Sequence, residues 1–241
     1  MENKISTGSA DLNEWLSGGY EKDVVTMIAG CPGSGKSNFC ILAACSMAKK
    51  GKKVIFVDTE GGFSVERVKQ IVGEESQRIL ENIMLLSPVD FNEQKKDFEK
   101  ISKYSNNEIG LIVLDSMAMH YRLELGEASS LKDEEKIYTI NREVSKQMKI
   151  LVEISRRKNI PVLITNQVYN QFVKMEEFKN GFEKETSLVG GDLLQYWSKC
   201  IIELKKDGSR RKAILLKHRN LAEREFNFAI RNEGIFKSGW F

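Results

Sequence analysis

The chain has 241 residues, 41% apolar and 29% charged, with 37 basic against 34 acidic side chains. This balance excludes a disordered or fibrous polypeptide; no apolar run is long enough to span a bilayer, and Met1-Glu2-Asn3-Lys4 opens no signal peptide, so one α/β domain in the cytoplasm is expected. Charge is unevenly spread: residues 1–198 carry 26 basic and 29 acidic groups and residues 199–241 carry 11 and 5, a basic end that suits a polyanion and equally suits a solvated edge.

In chain order, residues 24–29 form an apolar, β-branched run that reads as a buried strand. Gly30-Cys31-Pro32-Gly33-Ser34-Gly35-Lys36-Ser37 then fits the phosphate-loop pattern G-x-x-x-x-G-K-S/T, and residues 38–48 follow as a helix. In this strand–loop–helix context, backbone N–H groups and the helix N-terminus wrap phosphates. Gly33 and Gly35 let the loop curl. Lys36, on a solvent-facing loop, reaches the β- and γ-phosphates of ATP, and the Ser37 hydroxyl holds Mg²⁺. Of the four cysteines, Cys31, Cys40 and Cys45 lie in or beside this loop and helix; with Cys200 they read as small thiols rather than disulfides or zinc ligands.

Lys53–Asp58 is the next buried strand, followed by a helix over 64–72, a strand at Ile83–Leu86, and a charged amphipathic helix over 92–104. Residues 110–115 form another buried strand, 133–158 a long helix, and 160–165 a further strand. Strands separated by helices predict a mostly parallel twisted sheet with helices on both faces. From residue 199 the pattern changes to strands at 200–205, 212–216 and 225–230 with short connections, Asp207-Gly208-Ser209 reading as a hairpin turn, so a C-terminal antiparallel extension is expected. Residues 119–131 and 168–190 fit no regular element and read as functional loops.

Three polar residues at strand ends complete a candidate site. Asp115 closes Leu111-Ile112-Val113-Leu114 on a strand expected beside the phosphate loop, where a carboxylate can hold Mg²⁺ through water. Glu60, two residues beyond the 53–58 strand, can polarise an attacking water, and Gln167 can sense a γ-phosphate and pass its presence into the following segment. A polar group at a strand end also serves simply to meet solvent, and only a family pattern separates these readings.

Such a pattern is present. Asp58-Thr59-Glu60-Gly61-Gly62-Phe63-Ser64-Val65-Glu66-Arg67 resembles the segment after the second core strand of the RecA/RadA recombinases. Ile164-Thr165-Asn166-Gln167-Val168 resembles their strand leading into the second DNA-binding loop. Gly190-Gly191, Trp197 and Phe228-Ala229-Ile230 follow at the familiar spacing, so the similarity runs from about residue 5 to the end. The RecA-like core begins almost at once, with Ile5-Ser6-Thr7-Gly8, and residues 1–241 are expected to be a single core domain without an N-terminal helix–hairpin–helix domain. In this the chain resembles the short archaeal RadA paralogues of RadB type.

The resemblance implies ATP and Mg²⁺ as cofactors, single-stranded or branched DNA as a ligand, weak ATPase activity with or without DNA, and no strand exchange. It also implies a helper role in recombination and repair, with a RadA-type recombinase or a junction resolvase as partner and weak homo-oligomerisation. Residue by residue, Lys36 and Ser37 match phosphate and Mg²⁺ ligands, Asp115 the Mg²⁺-holding acid, Glu60 the catalytic carboxylate, and Arg67 the guanidinium that stacks on adenine. Residues 119–131, with Arg122, and 168–190, with Tyr169, Phe172, Lys174 and Lys179, match the two DNA-binding loops.

One departure stands out. Lys217-His218-Arg219-Asn220 looks more like the Lys-x-Arg pair that KaiC-type ATPases insert into a neighbouring subunit's site. Alternation along the strand would put Lys217 and Arg219 on one side with no acidic partner in sequence, leaving them free to act in trans. A KaiC-like signalling ATPase with protein partners is therefore the alternative function, and a mediator using ATP only as a conformational ligand is a third.

Overall fold

The computed structural model describes residues 3–170, 186–188 and 191–239, with side chains over 3–168 and 192–239. The strands are β1 Lys4–Ile5, β2 Tyr20–Glu21, β3 Val25–Gly30, β4 Lys53–Asp58, β5 Ile83–Leu86, β6 Ile109–Asp115, β7 Val162–Asn170, β8 Thr186–Leu188, β9 Cys200–Asp207, β10 Arg210–Lys217, β11 Arg224–Arg231 and β12 Gly234–Lys237. The α-helices are α1 Ala10–Trp15, α2 Lys36–Lys49, α3 Val65–Val72, α4 Ser76–Leu80, α5 Phe91–Tyr104, α6 Met119–Ser130, α7 Glu134–Lys158 and α8 Gly191–Trp197.

β3, β4 and β6 are nearly continuous apolar runs because both faces of the central sheet are covered. Alternation divides their side chains between two cores. Ile28, Phe56, Leu111 and Val113 pack with α1 to α4, and Met27, Ile55, Ile112 and Leu114 with α5 to α8. The main sheet runs β12-β11-β10-β9-β3-β7-β6-β4-β5, with β8 paired to β7 off that path. β9, β3, β7, β6, β4 and β5 are mutually parallel, whereas β9 to β12 pair antiparallel. The antiparallel C-terminal extension is present, its first hairpin turning at Gly208 with φ 56°.

Two helix starts explain how elements near the site are set. Ser64 caps α3 by accepting the Arg67 backbone N–H, and Asp133 caps α7 by accepting that of Lys136. α7 then lays Ile140, Val144, Met148 and Leu151 on the sheet and ends where Asn159 turns left-handed at φ 55°.

Residues 119–130, expected as a loop, are helix α6. Its buried side is partly polar, which hides the helical pattern in the sequence: the His120 ring bonds the Pro88 carbonyl at 2.9 Å, and the Tyr121 hydroxyl donates to Asn141 at 2.8 Å. The 168–190 stretch is not wholly irregular either, since β7 continues to Asn170 and Val168–Asn170 pairs with Thr186–Leu188. No helix of the described residues is long and apolar enough to cross a membrane.

Candidate functional site

The phosphate loop leaves β3 at Gly30 and enters α2 at Lys36. Gly33 and Gly35 hold φ of 72° and 115°, the left-handed region where a side chain strains the backbone. Gly30 has a different constraint, because a Cβ there would lie 2.6 Å from the Leu204 carbonyl oxygen of β9. Gly35 caps α2 without any side-chain hydrogen bond, so the helix's first N–H groups face the loop.

Lys36 is buried, not solvent-facing, because its ammonium folds back to donate to the carbonyls of Gly30 at 2.9 Å and Cys31 at 3.2 Å. Burial pulls its pKa down, and the carboxylates of Glu60 and Asp115 push it back up. The buried hydroxyl of Ser34 has no hydrogen-bond partner.

Asp115 and Glu60 converge on this loop, but β6 does not lie directly beside β3. β7 runs between them, and it carries the residues that organise both acids. Thr165 donates to Asp115 Oδ1 at 2.5 Å. The other carboxylate oxygen, Oδ2, is buried without a hydrogen-bond partner. A Cβ on Gly62 would stand 3.0 Å from Ser37 Oγ and 3.5 Å from Asp115 Oδ2, so Ser37 and Asp115 meet beneath this glycine. Burial pushes the Asp115 carboxyl above the ordinary aspartate range; Ser37 and Thr165 hold it down, while Glu60 and Asp58 add to the rise. A buried, unpaired carboxylate oxygen facing a hydroxyl is a donor set that a hard divalent cation satisfies. Among the described residues no cluster of three His, Cys, Asp or Glu forms a cation cage of its own.

Glu60 is exposed and its side chain is held from two elements. Ser116 Oγ donates to Oε1 at 2.6 Å, and Gln167 Nε2 lies 3.1 and 3.2 Å from the two carboxylate oxygens. The two strand-end groups expected as water-polarising acid and γ-phosphate sensor are thus in direct contact. Arg122, on α6, joins Glu60, Ser116, Met119, Leu123 and Gln167 in lining a cleft of about 270 Å³.

Three organising residues went unnoticed in the sequence. Asp58 accepts the backbone N–H groups of Gly62 and Phe63, both at 2.9 Å, and so shapes the turn that carries Glu60. Its signal was available: an aspartate at a strand end followed by two glycines favours side-chain-to-backbone bonding. Thr59 bonds both the N–H and the carbonyl of Ser116, tying the ends of β4 and β6. Thr59 and Thr165 look in sequence like ordinary β-formers.

Arg67 is fixed by Asn38 Oδ1 at 2.7 Å and by the carbonyls of Arg231 at 2.8 Å and Asn232 at 2.9 Å, bridging α2, α3 and the β11–β12 turn. Tyr169 lies on β7 with its side chain outside the described residues, and Phe172, Lys174 and Lys179 lie outside them altogether. Lys217 and Arg219 do not form a free pair. A register shift lies between Leu215 and Lys217, the last residue of β10, whose ammonium donates to the Gln195 carbonyl at 3.0 Å. Arg219 lies beyond the strand and does have acidic partners: it bonds Glu21 at 2.9 Å and grips both oxygens of Asp23, at 2.7 and 2.5 Å.

Comparison with known proteins follows the same outline. The family model described as Rad51 matches residues 3–238. A Methanobrevibacter smithii protein named DNA repair and recombination protein RadB is 40% identical over 238 residues, covering 96% of this chain and 95% of that one. A protein of the same name from Methanocaldococcus jannaschii is 40% identical over 224 residues, covering 93% and 98%. A solved structure described as the crystal structure of the RadB recombinase superposes with a TM-score of 0.75 at 30% identity, covering 98% of this chain and all of that one.

Proposed function

The chain belongs to the Rad51 family, and on that premise we propose that it is an ATP- and DNA-binding accessory protein of homologous recombination and DNA repair. It turns ATP over weakly and does not itself exchange strands. The observation that carries the reading is the meeting of Lys36, Ser37, Asp115, Glu60 and Gln167 at one end of the sheet, linked through β7.

The loop N–H groups and Lys36 bind the phosphates, Lys36 exchanging its bonds to the Gly30 and Cys31 carbonyls for phosphate oxygens. Ser37 and, through water, Asp115 would hold Mg²⁺, which would supply neutralisation of charge on the phosphate oxygens. Glu60, oriented by Ser116 and Gln167, polarises the attacking water. Arg67, pinned along its edge, offers its flat face to adenine.

DNA is taken by Arg122, which lines the cleft beside Glu60, and by Tyr169, Phe172, Lys174 and Lys179, in sequence a mix of cations and stacking faces suited to single strands or branches. A RadA-type recombinase or a junction resolvase is the partner class, and self-association is weak. Residues 1–241 act as one core domain in the cytoplasm. Lys217, whose ammonium bonds one backbone carbonyl, is the stronger trans candidate toward a neighbour's phosphate, since Arg219 is ion-paired to two carboxylates of its own chain; this engagement removes the main support for a KaiC-like reading.

Titration with a fluorescent ATP analogue and with a labelled single strand tests the proposal. Lys36→Ala should abolish tight nucleotide binding without unfolding the chain, and Lys174→Ala with Lys179→Ala should weaken all single-stranded sequences alike. Unchanged nucleotide affinity in the first variant, or no DNA binding by the parent chain, sinks it.

A further inference from the structure

A second charged surface lies away from this end of the sheet. On α7 the residues packed on the core, Ile140, Val144, Met148 and Leu151, leave the opposite side to solvent. That side presents Arg142, Lys146, Lys149, Arg156 and Arg157, all exposed, which fall within an arc of about 100° and extend for about 22 Å along the helix. Lys146 approaches Glu143 at 3.9 Å with its side chain 69% exposed. Arg142, Lys149, Arg156 and Arg157 make no ion pair or hydrogen bond with any described side chain. Of the acids on the same arc, Glu135 lies at the start of the helix and Glu153 between Lys149 and Arg156, neither paired to these cations. Five cations stand with two acids on this arc, an excess of one sign that a face serving only to meet water does not require, although Glu153 lies four residues from both Lys149 and Arg157.

We propose that this face of α7 binds the phosphate backbone of double-stranded DNA. It is a site separate from the single-strand end described above, and it does not rest on that reading. A duplex carries about 13 phosphate charges along 22 Å of its axis, a density that the row of cations complements. Three of the five are arginines, whose planar forks bond phosphate oxygens in pairs. Single strands want aromatic platforms, and along this row only Tyr138, at its N-terminal end, offers one. The contact reads backbone rather than sequence, so it holds duplex flanking a single-stranded or branched segment without selecting it.

Anisotropy titration of a labelled duplex and a labelled single strand, across a salt series, tests the site with the variant R142A/K149A/R156A. All three residues are solvent-facing, so circular dichroism and ATP-analogue binding should match the parent. Duplex affinity should fall at least tenfold near 0.1 M salt, and the slope of log affinity against log salt should shrink by about 3, with single-strand affinity preserved. The charge-preserving variant R142K/K149R/R156K should keep most of the duplex affinity. An unchanged slope, no duplex binding by the parent, or equal displacement by polyglutamate and DNA would overturn the proposal, the last assigning the face to acidic protein. Failure of the parent to bind ATP would instead count against the function proposed above and leave this one standing.

Discussion

Asp58 and Glu60 divide the labour at the end of β4: one builds the turn and the other faces the cleft. Asp58→Ala releases two charge-assisted bonds to the Gly62 and Phe63 N–H groups and should cost about 2–3 kcal/mol in urea unfolding. It should also lower turnover, because Glu60 loses its frame. Glu60→Gln keeps the turn intact; it should leave ATP affinity and stability at the parent values while turnover falls about 10²-fold or more in a phosphate-release assay. A parent-like rate would move the water-polarising role to another group. Glu60 and Gln167 were readable from sequence as strand-end polar groups, since the strands themselves are unmistakable. Their mutual bond was not readable, because it joins residues 107 positions apart across an intervening strand.

The phosphate loop offers a matched pair of glycines at the scale of the element. At Gly35, φ is 115° and a Cβ would come within 2.8 Å of Ile230 Cδ1, while at Gly33 φ is 72° and the nearest atom to a Cβ is the flexible Lys206 ammonium at 3.7 Å. Gly33→Ala should therefore cost about 1 kcal/mol from backbone strain alone. Gly35→Ala should cost about 2 kcal/mol or more and weaken nucleotide binding more deeply, as it also disturbs the start of α2. Thermal unfolding of the two variants side by side checks the order. This loop was legible because eight contiguous residues specify it. Helix α6 was not, because His120 and Tyr121 turn polar groups inward to partners on other elements, and local periodicity carries no record of Pro88 or Asn141.

For the molecule as a whole, the alternation of strands and helices made the parallel sheet and its antiparallel extension legible, but not the place of β7 between β3 and β6, since strand order depends on contacts remote in sequence. Binding of ATP with Mg²⁺ at a hundred times its dissociation constant should add about 2.7 kcal/mol, raising the thermal midpoint by about 5–10 °C. Asp115→Asn should remove the Mg²⁺-dependent part of that shift in a calorimetric scan. Far from the loop, the Arg219 guanidinium holds the Asp23 carboxyl below its ordinary value of 3.8. An aspartate so depressed contributes stability that is full above that value and is lost as pH falls through the lower folded value. For a pair this exposed the contribution is about 0.5–1 kcal/mol, and Arg219→Ala should flatten the acid limb of the urea midpoint below pH 4 by that amount. The interposed strand has a further consequence, one of timing. Thr165 and Gln167 stand two residues apart on β7, one holding Asp115 and the other touching Glu60, while three residues beyond Gln167 the same strand ends at the segment expected to meet DNA. A shift of that strand along its axis would move both contacts together, so in the function proposed above the hold on a cation at Asp115 and the orientation of Glu60 toward water would change in step.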